Sequence, residues 1–580
     1  MMKADRMPLC RLRHVGFILF IAFLAGLPRL AAADPLPAVL QPVVAKHGMV
    51  VAQEPQAARI GLEVLRQGGN AVDAAVATGF AMAVTYPRAG NIGGGGFMVI
   101  HLATGRRDIA IDYRETAPAA TTPDVFLDAK GEADPAKSRD GGLAIGVPGT
   151  VAGLVLAHSK YGSGRLTLAQ LMAPAIALAR NGFILEGDTP ETLANARPLL
   201  MRWPSSMKIF FKGDAVLAAG DKLTQTDLAN SLEAIAKQGA RGFYEGPVAA
   251  GIVKAVRDAG GRMTLDDLKA YRAVERAPVR GRYRGYDIVS MPPPSSGGVH
   301  LVEMLNILEG FPSKDLAANS EIAPHLLVES MKRAYADRAH YLGDPDFVEV
   351  PVKKLTSKDY AARWRATINR DRATPSKEIR AGNPNGREGD NTTHFSIVDR
   401  HGNAVANTYT LNLNYGVGLV ADGTGVLLNN ELDDFAAKPG VPNFFGLMGS
   451  DANAPGPRKR PLSSMTPTIV LKNGKPFLVT GSPGGSRIIT ATLQIIINVI
   501  DRGMNIAEAV AMPRIHHQWL PDEVRLERAV PAETEQALVK RGHTVARPLA
   551  QTSTNSILWT RQGLTGAGDP RTRGSLAAGY

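Results

Sequence analysis

The sequence predicts a large domain, or a pair of domains, in which helices and antiparallel strands are both abundant. Residues 44–87 follow a helical pattern, which includes an alanine-rich segment over 70–84. Residues 392–398 and 404–410 instead have the pattern of two strands joined by a turn at 399–403, and so predict a hairpin. A chain of 580 residues exceeds what one simple core usually fills, so we expect either two domains or one large layered domain.

Between these regions the helical pattern prevails, and after the hairpin strands and glycine-rich loops dominate. The predicted helices cover residues 151–161, 167–181, 225–238, 247–259, 299–308, 324–341 and 488–501. The other predicted strands cover residues 107–113, 279–283, 286–290, 469–471 and 476–479. No internal repeat is visible.

The first 33 residues are typical of a secretory signal peptide. They begin with the basic residues Lys3, Arg6, Arg11 and Arg13, continue with an apolar run over 15–27 and end in Ala31-Ala32-Ala33. The apolar run is too short to span a bilayer comfortably, so we expect cleavage and no stable membrane anchor, with an uncleaved anchor as the alternative. The segment carries five Lys or Arg residues and one Asp, so without it the net charge falls from +12 to about +8.

The composition excludes several function classes. The only cysteine, Cys10, lies inside the signal segment, so the mature chain has no disulfide and no cysteine nucleophile or metal ligand. His516-His517 lacks a partner at ligand spacing, so we expect no metal site. The glycines of 93–96 are not followed by Gly-Lys-Ser/Thr, and we expect no nucleotide and no other cofactor. The basic residues are scattered except at 458–460, which does not indicate nucleic-acid binding.

Thr392 stands where a long polar run ends and the predicted hairpin begins. A threonine hydroxyl is a poor nucleophile, but if the chain is cut before it, the new α-amine can take its proton. The alternative for this feature alone is an ordinary loop-to-strand junction.

Three further features suit the chemistry of such a nucleophile. Arg114 follows a predicted strand and can bind a carboxylate through two hydrogen bonds, although by itself it also fits a surface salt bridge. Residues 431–434 carry three acids beside an apolar strand. Gly484 and Gly485 precede a predicted helix, where free backbone N–H groups can hold an oxyanion. Each could also be a tight turn, and 481–485 is not the Gly-x-Ser-x-Gly elbow of other hydrolases.

Taken together, these motifs closely resemble those of the γ-glutamyltranspeptidase family. The matching segments, in order, are 112–118, 390–395, 407–412, 429–435, 460–467, 481–487 and 568–571. The resemblance extends over nearly the whole mature chain, and several of the motifs are specific.

This resemblance implies an α+β fold of the N-terminal-nucleophile hydrolase type, a four-layer αββα sandwich. It also implies a precursor in which Thr392 attacks the carbonyl of Asn391, and an N-to-O acyl shift and hydrolysis then cut the chain. The products would be a large chain of residues 34–391 and a small, catalytic chain of 392–580, which fold as one unit. The signal peptide places such an enzyme in the periplasm or outside the cell.

The resemblance also assigns roles within the site for a glutathione-like donor. Thr392 Oγ is implied as the nucleophile, with its own α-amine as the base, and water or the amine of an amino acid or dipeptide as the acceptor. The other implied roles are carboxylate binding by Arg114, Ser463 and Ser464, ammonium binding by Asn412, Glu431 and Asp434, oxyanion stabilisation by the N–H groups of Gly484 and Gly485, orientation of the nucleophile by Thr410, and assistance from the hydroxyl of Thr393.

Two positions vary within the resemblance. Residue 431 is Glu, where many bacterial relatives have Gln, and either side chain can accept from an ammonium. Residues 439–449 resemble the lid over the glutamyl pocket, but Phe445 stands where a phenol is expected. Because Phe445 cannot hydrogen-bond to Asn412, we predict a more mobile lid.

Two other functions compete with this one. A glutaryl-type β-lactam side-chain acylase on the same fold would act on an acyl group without an α-amine, so Asn412, Glu431 and Asp434 argue against it. A non-catalytic exported binding protein would remain a single uncut chain.

Overall fold

Two antiparallel sheets form the middle of the fold in the computed structural model, which describes residues 40–379, 392–549 and 552–580. Their strands are β1 Val43–Ala45, β2 Met49–Ala52, β3 Gly95–Leu102, β4 Arg107–Tyr113, β5 Val274–Arg276, β6 Val279–Tyr283, β7 Tyr286–Ser290, β8 Thr393–Val398, β9 Ala404–Thr410, β10 Thr468–Lys472, β11 Lys475–Thr480, β12 Ser556–Thr560, β13 Gly563–Ala567 and β14 Leu576–Gly579. One sheet has the order β1-β13-β12-β11-β10-β7-β6 and the other the order β14-β2-β8-β9-β3-β4-β5.

Helices cover the outer face of each sheet. The longer ones are α1 Pro55–Arg66, α2 Ala71–Thr85, α3 Thr150–Tyr161, α4 Leu168–Asn181, α5 Thr189–Leu200, α6 Thr226–Gln238, α7 Gly246–Asp258, α8 Gly297–Glu309, α9 Ala323–Tyr341, α10 Lys358–Ala366, α11 Ile488–Ile500 and α12 Ala532–Lys540. Every residue of α2 is buried, as its alanine-rich sequence predicts. Within the described residues, none of the helices is both long and apolar enough to cross a bilayer.

Three hydrophobic cores define the layers. The first lies between α1 to α7 and the outer face of the second sheet and contains Phe395 and Ile397. The second lies between α8, α9 and α11 and the outer face of the first sheet. The third, with Phe97, Val398 and Ile469, lies between the two sheets. The fold is therefore the predicted α+β sandwich of four layers, αββα.

The hairpin that contains the candidate nucleophile lies in the centre of the second sheet. Strand β8 pairs with β9 from Thr393↔Tyr409 to Val398↔Ala404, and β2 and β3 flank the pair. The predicted bounds of the second strand, 404–410, are confirmed. Side chains of β8 alternate between the two faces of the sheet, because Phe395 faces the first core and Val398 faces the core between the sheets.

The prediction of a helical pattern from residue 44 was wrong for its first residues. Val43–Ala45 and Met49–Ala52 are strands, and helix starts only at Pro55. The valines of these segments are β-branched, and pairing with β13, β8 and β14 supplies the hydrogen bonds that a helix would otherwise supply. Residues 1–39, which include the predicted signal peptide, and Asn391 lie outside the described residues.

Candidate active site

A small cavity of about 20 Å³ lies at the start of β8. Its lining includes most of the residues that the sequence singles out, which are Arg114, Thr392, Thr410, Asn412, Glu431, Asp434, Phe445, Ser463, Ser464 and Gly485. These residues are far apart in sequence, and the sheet ends and three loops bring them together.

Thr392 is the residue immediately before β8 and is 4% exposed. The next strand ends at Thr410, whose Oγ1 accepts a hydrogen bond of 2.9 Å from the N–H of Asn412. The hydroxyl of Thr410 therefore fixes the chain that turns away from β9 at Asn412. Its predicted role in orienting Thr392 stays a prediction.

The neighbouring side chains of β8 do not line this cavity. Thr393 is fully buried, pairs with Tyr409 in the sheet, and its Oγ1 has no hydrogen-bond partner among the described residues. His394 is also buried, with Nδ1 2.8 Å from Thr408 Oγ1 and Nε2 3.0 Å from Ser396 Oγ. Burial lowers the pKa of His394 to about 3, so its imidazole is a neutral core group and not a base for Thr392.

Glycines allow the strands beneath the site to approach closely. A Cβ on Gly94 would lie 2.1 Å from the carbonyl oxygen of Thr410, and one on Gly95 would lie 2.5 Å from that of Tyr113. The glycine-rich stretch that leads into β3 and forms its first residues is therefore needed for packing beneath Thr410 and Arg114.

Arg114 is fully buried, which excludes the surface salt bridge considered for it. Its guanidinium pairs with Glu431 and with Asp434, and its Nε donates to the carbonyl of Pro461 at 3.1 Å. The group expected to bind a substrate carboxylate is thus paired directly with the groups expected to bind a substrate ammonium. A zwitterionic head group can replace both halves of this pairing at once.

A second buried glutamate, Glu115, lies behind this cluster. The carboxyl groups of Glu115 and Glu431 are close enough to share a hydrogen bond, and Arg114 Nη1 is 4.0 Å from Glu115. Burial, together with the nearby charge of Glu431, holds the pKa of Glu115 well above its ordinary value. Burial also raises the pKa values of Glu431 and Asp434, although Arg114 opposes the shift.

The two predicted serines lie in the loop that precedes β10 in the first sheet. This loop is hydrogen-bonded to Ser296, directly before α8, and to Arg338 of α9. Ser463 Oγ accepts from the N–H of Met465 at 3.1 Å, and the carbonyl of Ser463 accepts from the N–H of Ser296 at 2.8 Å. Ser464 Oγ accepts from the guanidinium of Arg338 at 3.2 Å. Arg338 is a buried residue of α9, and it positions this serine.

Asn412 has a left-handed backbone conformation, with φ of 74°. Its Nδ2 donates to the carbonyl of Asn430 at 2.9 Å, so its Oδ1 is the end that can accept from an ammonium. Residues Glu431–Asp434 form a short 3-10 helix directly after Asn430. The three predicted ammonium ligands are therefore fixed by one local unit.

The predicted oxyanion loop adopts backbone angles that favour glycine. Gly484 and Gly485 have φ of 125° and 54°, and they begin the turn Gly485–Arg487 that leads into α11. The first N–H groups of such a helix have no partner within the helix, so they provide partial positive charge at this point.

Phe445 covers the cavity beside this loop. Its ring is 3% exposed and lies so close to Gly485 that a Cβ there would be 2.3 Å from Cδ1 of Phe445. The carbonyl of Phe445 accepts from Gln518 at 3.1 Å, and Asn443 donates to Asp434 at 3.2 Å. The predicted lid is therefore in contact with both the predicted oxyanion loop, at Gly485, and the short helix Glu431–Asp434.

Sequence reasoning missed Glu115 and Arg338. Glu115 adjoins Arg114 in the matching segment, but nothing in the sequence indicates that both its oxygens are buried. Arg338 belongs to a predicted helix whose buried face also carries charged residues, which an apolar-periodicity pattern does not detect.

One other cluster has metal-ligand chemistry among the described residues, namely His325, Glu329 and His543. His325 Nδ1 lies 2.8 Å from His543 Nε2, and Arg333 donates to Glu329 at 2.7 Å. These atoms are already engaged with one another and with a cation, and none of the three residues lines the cavity at Thr392.

Comparison with known proteins agrees with the family resemblance found in the sequence. The family model described as gamma-glutamyltranspeptidase matches residues 57–579. The chain is 52% identical to the glutathione hydrolase proenzyme of Escherichia coli K12 over 560 residues, which cover 95% of this chain and 96% of that protein.

Two solved structures are also similar. The cephalosporin acylase of Bacillus halodurans has a TM-score of 0.82 and 28% identity, and the match covers 95% of this chain and 98% of that one. The γ-glutamyltranspeptidase of Helicobacter pylori has a TM-score of 0.57 and 48% identity, over 59% of this chain and 97% of that one.

The family model covers most of the chain, and the fold is that of the N-terminal-nucleophile hydrolases. Thr392, Arg114 and the acidic unit at 431–434, which carry the resemblance in sequence, line one cavity. This chain belongs to the γ-glutamyltranspeptidase family.

Proposed function

We propose that this protein cleaves the γ-glutamyl amide of glutathione and related compounds and transfers the γ-glutamyl group to water, amino acids or dipeptides. One observation carries the proposal: Thr392 shares a cavity with a buried arginine that is paired with Glu431 and Asp434. This arrangement has the charges needed to bind the zwitterionic head group of a glutamyl donor.

Donor binding exchanges internal ion pairs for pairs to the substrate. The donor carboxylate pairs with the guanidinium of Arg114 and accepts hydrogen bonds from the hydroxyl groups of Ser463 and Ser464. The donor ammonium pairs with the carboxylates of Glu431 and Asp434 and donates a hydrogen bond to the amide oxygen of Asn412. Separating a buried ion pair costs free energy, because each charge is left without a partner. Only a ligand that carries both a carboxylate and an ammonium can pair with the arginine and with the two acids at the same time.

The first chemical step is attack by Thr392 Oγ on the γ-carbonyl carbon. The α-amine of Thr392 takes the hydroxyl proton, and the N–H groups of Gly484 and Gly485 stabilise the oxyanion, at about 3 kcal/mol for one such donor in other enzymes. The C–N bond then breaks, the leaving amine takes the proton, and a γ-glutamyl ester of Thr392 remains. In the second half of the reaction, the acceptor attacks the carbonyl carbon of this ester, and the same steps in reverse order release Thr392 Oγ.

The α-amine exists only if the chain is cut before Thr392. We propose that Thr392 attacks the carbonyl of Asn391 in the precursor, and that an N-to-O acyl shift and hydrolysis release chains of residues 34–391 and 392–580. The word proenzyme in the name of the E. coli relative supports this step. The signal-like first 33 residues support export to the periplasm or beyond.

Replacement of the nucleophile tests both proposals. We expect wild-type protein to give two bands on a denaturing gel, with a small chain that begins at Thr392 by mass spectrometry. Thr392→Ala should give one uncut band and no release of a γ-glutamyl anilide, because neither the attacking hydroxyl nor the cut remains. Thr122→Ala, at an exposed threonine, is the control and should behave like wild type.

A cut at another position, or an unchanged pattern in Thr392→Ala, would contradict the assignment. A single uncut wild-type chain would instead favour an exported binding protein.

A glutaryl-type acylase is the second candidate, because the cephalosporin acylase of B. halodurans has a similar fold over nearly the whole chain. A glutaryl group has no ammonium, and the buried carboxylates Glu431 and Asp434 would then have no substrate partner. We therefore expect release of a γ-glutamyl anilide to be much faster than release of a glutaryl anilide. A preference for the glutaryl compound would overturn this choice.

A further inference from the structure

A cavity of about 520 Å³ lies between helices α9 and α10 and the two ends of the predicted lid, residues 439–449. We call it the α9–α10 cavity. Among the described residues, it shares no lining residue with the cavity at Thr392. Its volume is in the range of sites that bind small molecules, so its walls indicate which molecule would fit.

Aromatic rings form much of these walls. Tyr341 ends α9, Tyr360 and Trp364 belong to α10, and Trp519 lies on the far side. The rings of Tyr360 and Trp364 are 6.0 Å apart and meet edge to face. Faces and edges of this kind pack favourably against another aromatic ring.

A buried carboxylate fixes the two rings of α10. Asp337 is 5% exposed, and its Oδ2 accepts from the hydroxyl of Tyr360 and from the indole N–H of Trp364, both at 2.8 Å. Behind it, the carboxyl of Glu303 is close enough to share a hydrogen bond with Asp337. Burial and the charge of Asp337 hold the pKa of Glu303 well above its ordinary value, so Glu303 keeps its proton and donates.

Asp337 is therefore engaged with three donors of the protein itself and is not available to a ligand cation. The rings are held in one arrangement before any ligand arrives, which lowers the entropy lost on binding.

The cations of the α9–α10 cavity are in a different situation. Lys354 and Arg363 line it and are exposed to solvent. Lys354 Nζ lies 5.5 Å from the ring centroids of both Tyr341 and Tyr360. In the part of the chain that the structure describes, neither cation forms an ion pair with a carboxylate. The cavity thus offers positive charge beside fixed aromatic rings.

We propose that the α9–α10 cavity binds a small aromatic anion, with its ring against Tyr360 and Trp364 and its anionic group on Lys354 and Arg363. This inference goes beyond the transfer of γ-glutamyl groups and concerns a separate site. An aliphatic anion would leave the rings unused, and a neutral arene would leave the two cations unpaired.

Two walls of the α9–α10 cavity continue to the cavity at Thr392. The predicted lid has both ends here, where the N–H of Gly440 donates to the carbonyl of Gly449 at 3.2 Å, and its Phe445 lines the other cavity. On α9, Asp337 is followed directly by Arg338, which donates to Ser464. A ligand in the α9–α10 cavity would therefore brace the base of the predicted lid.

The test is a titration of the wild-type protein with 2-naphthoate, followed by quenching of tryptophan fluorescence, because Trp364 and Trp519 line the cavity. The matched neutral probe is 2-naphthamide, which has the same rings without the charge. We expect 2-naphthoate to bind about tenfold more tightly, because its carboxylate pairs with two cations at the edge of an aromatic wall.

Lys354→Gln combined with Arg363→Gln should remove this preference, so that both probes bind equally. Lys353→Gln is the control, because Lys353 is also exposed but does not line the cavity. Neither Lys354 nor Arg363 lines the cavity at Thr392, so without a probe the double variant should match wild type in donor kinetics.

The effect on the predicted lid is measured by limited proteolysis within 439–449. We expect 2-naphthoate to slow this cleavage in wild type and in Lys353→Gln, but not in the double variant. A rate that 2-naphthoate leaves unchanged in wild type would contradict the bracing of the lid.

Equal affinities for the two probes in wild type, or an undiminished preference for 2-naphthoate in the double variant, would overturn the inference. Absence of binding by either probe would also overturn it. None of these readouts requires turnover, so their failure is distinguishable from a failure of Thr392 to form a γ-glutamyl ester.

Discussion

At the scale of single residues, the acid–base chemistry of the cavity at Thr392 centres on Glu431. Its carboxyl is buried beside Arg114, Asp434 and Glu115, and burial raises its pKa. A carboxyl with a raised pKa becomes ionised only as pH rises through that value. The contact with the donor ammonium that we propose for Glu431 is therefore weakened as pH falls through that value.

We expect the donor KM of the wild-type enzyme to fall as pH rises across the neutral range. Glu431→Gln keeps a hydrogen-bond acceptor without the ionisation, so its KM should depend less on pH there. Measuring KM and kcat separately matters, because ionisation of the Thr392 amine acts mainly on kcat. Glu191→Gln, at an exposed glutamate, is the control, and identical KM profiles for wild type and Glu431→Gln would contradict the prediction.

The pairing of Arg114 shows where residue-level sequence reasoning stops. The sequence predicts its position after a strand and its part in the site, and the motif match joins it to Glu431 and Asp434. Burial and direct pairing could not be predicted, because they depend on loops that are more than 300 residues apart in sequence. The burial of Glu115 beside Glu431 is of the same kind, since only the packed structure reveals it.

At the scale of elements, the sequence predicts strands best where local pattern and turn chemistry agree. The bounds of β4, β6, β7 and β9 match the predicted ones because each strand is bordered by a clear change of pattern or by a turn. Strands β1 and β2 were missed, because three or four residues give too short a period to distinguish strand from helix. Their pairing partners lie at the far end of the chain.

In the predicted lid, residues 439–449, the resemblance implies a phenol at the position where this chain has Phe445. Phe445 covers the cavity through its ring and makes no hydrogen bond from it, so we predict that Phe445→Tyr closes the lid more firmly over Asn412. One added hydrogen bond of about 1 kcal/mol would lower the donor KM about fivefold. The checks are donor kinetics and the rate of proteolysis within 439–449.

Phe444→Tyr provides a matched control for the lid. Its ring lies beside Arg139 and does not line the cavity, so the added hydroxyl should leave donor kinetics unchanged. If Phe445→Tyr left donor affinity and turnover unchanged, the idea of a looser lid would fail.

At the scale of the whole molecule, the predicted cut at Thr392 would pass through a structure whose two parts are interleaved. Residues 41–580 form one compact unit. In the second sheet β8, β9 and β14 follow the cut, and β2, β3, β4 and β5 precede it. In the first sheet β10 to β13 lie between β1 on one side and β7 and β6 on the other.

The end of the chain closes this arrangement. Strand β14 pairs with β2 from Met49↔Gly579 to Ala52↔Leu576, and the carbonyl of Tyr580 accepts from the N–H groups of Lys46 and His47 at 3.0 and 2.7 Å. An edge strand of one proposed chain is thus covered by the last strand of the other. Without β14, the paired groups of β2 would be exposed along one side.

We therefore expect the two cut chains to remain together under native conditions, although no disulfide can link them. They should elute as one species with the mass of both chains and should separate only on unfolding, in a single transition in guanidinium chloride, because both sheets and all three cores need both chains. Deleting residues 576–580 should lower the midpoint of that transition. Elution of the two chains as separate folded species would contradict this account, since neither could then complete a sheet of the fold described above.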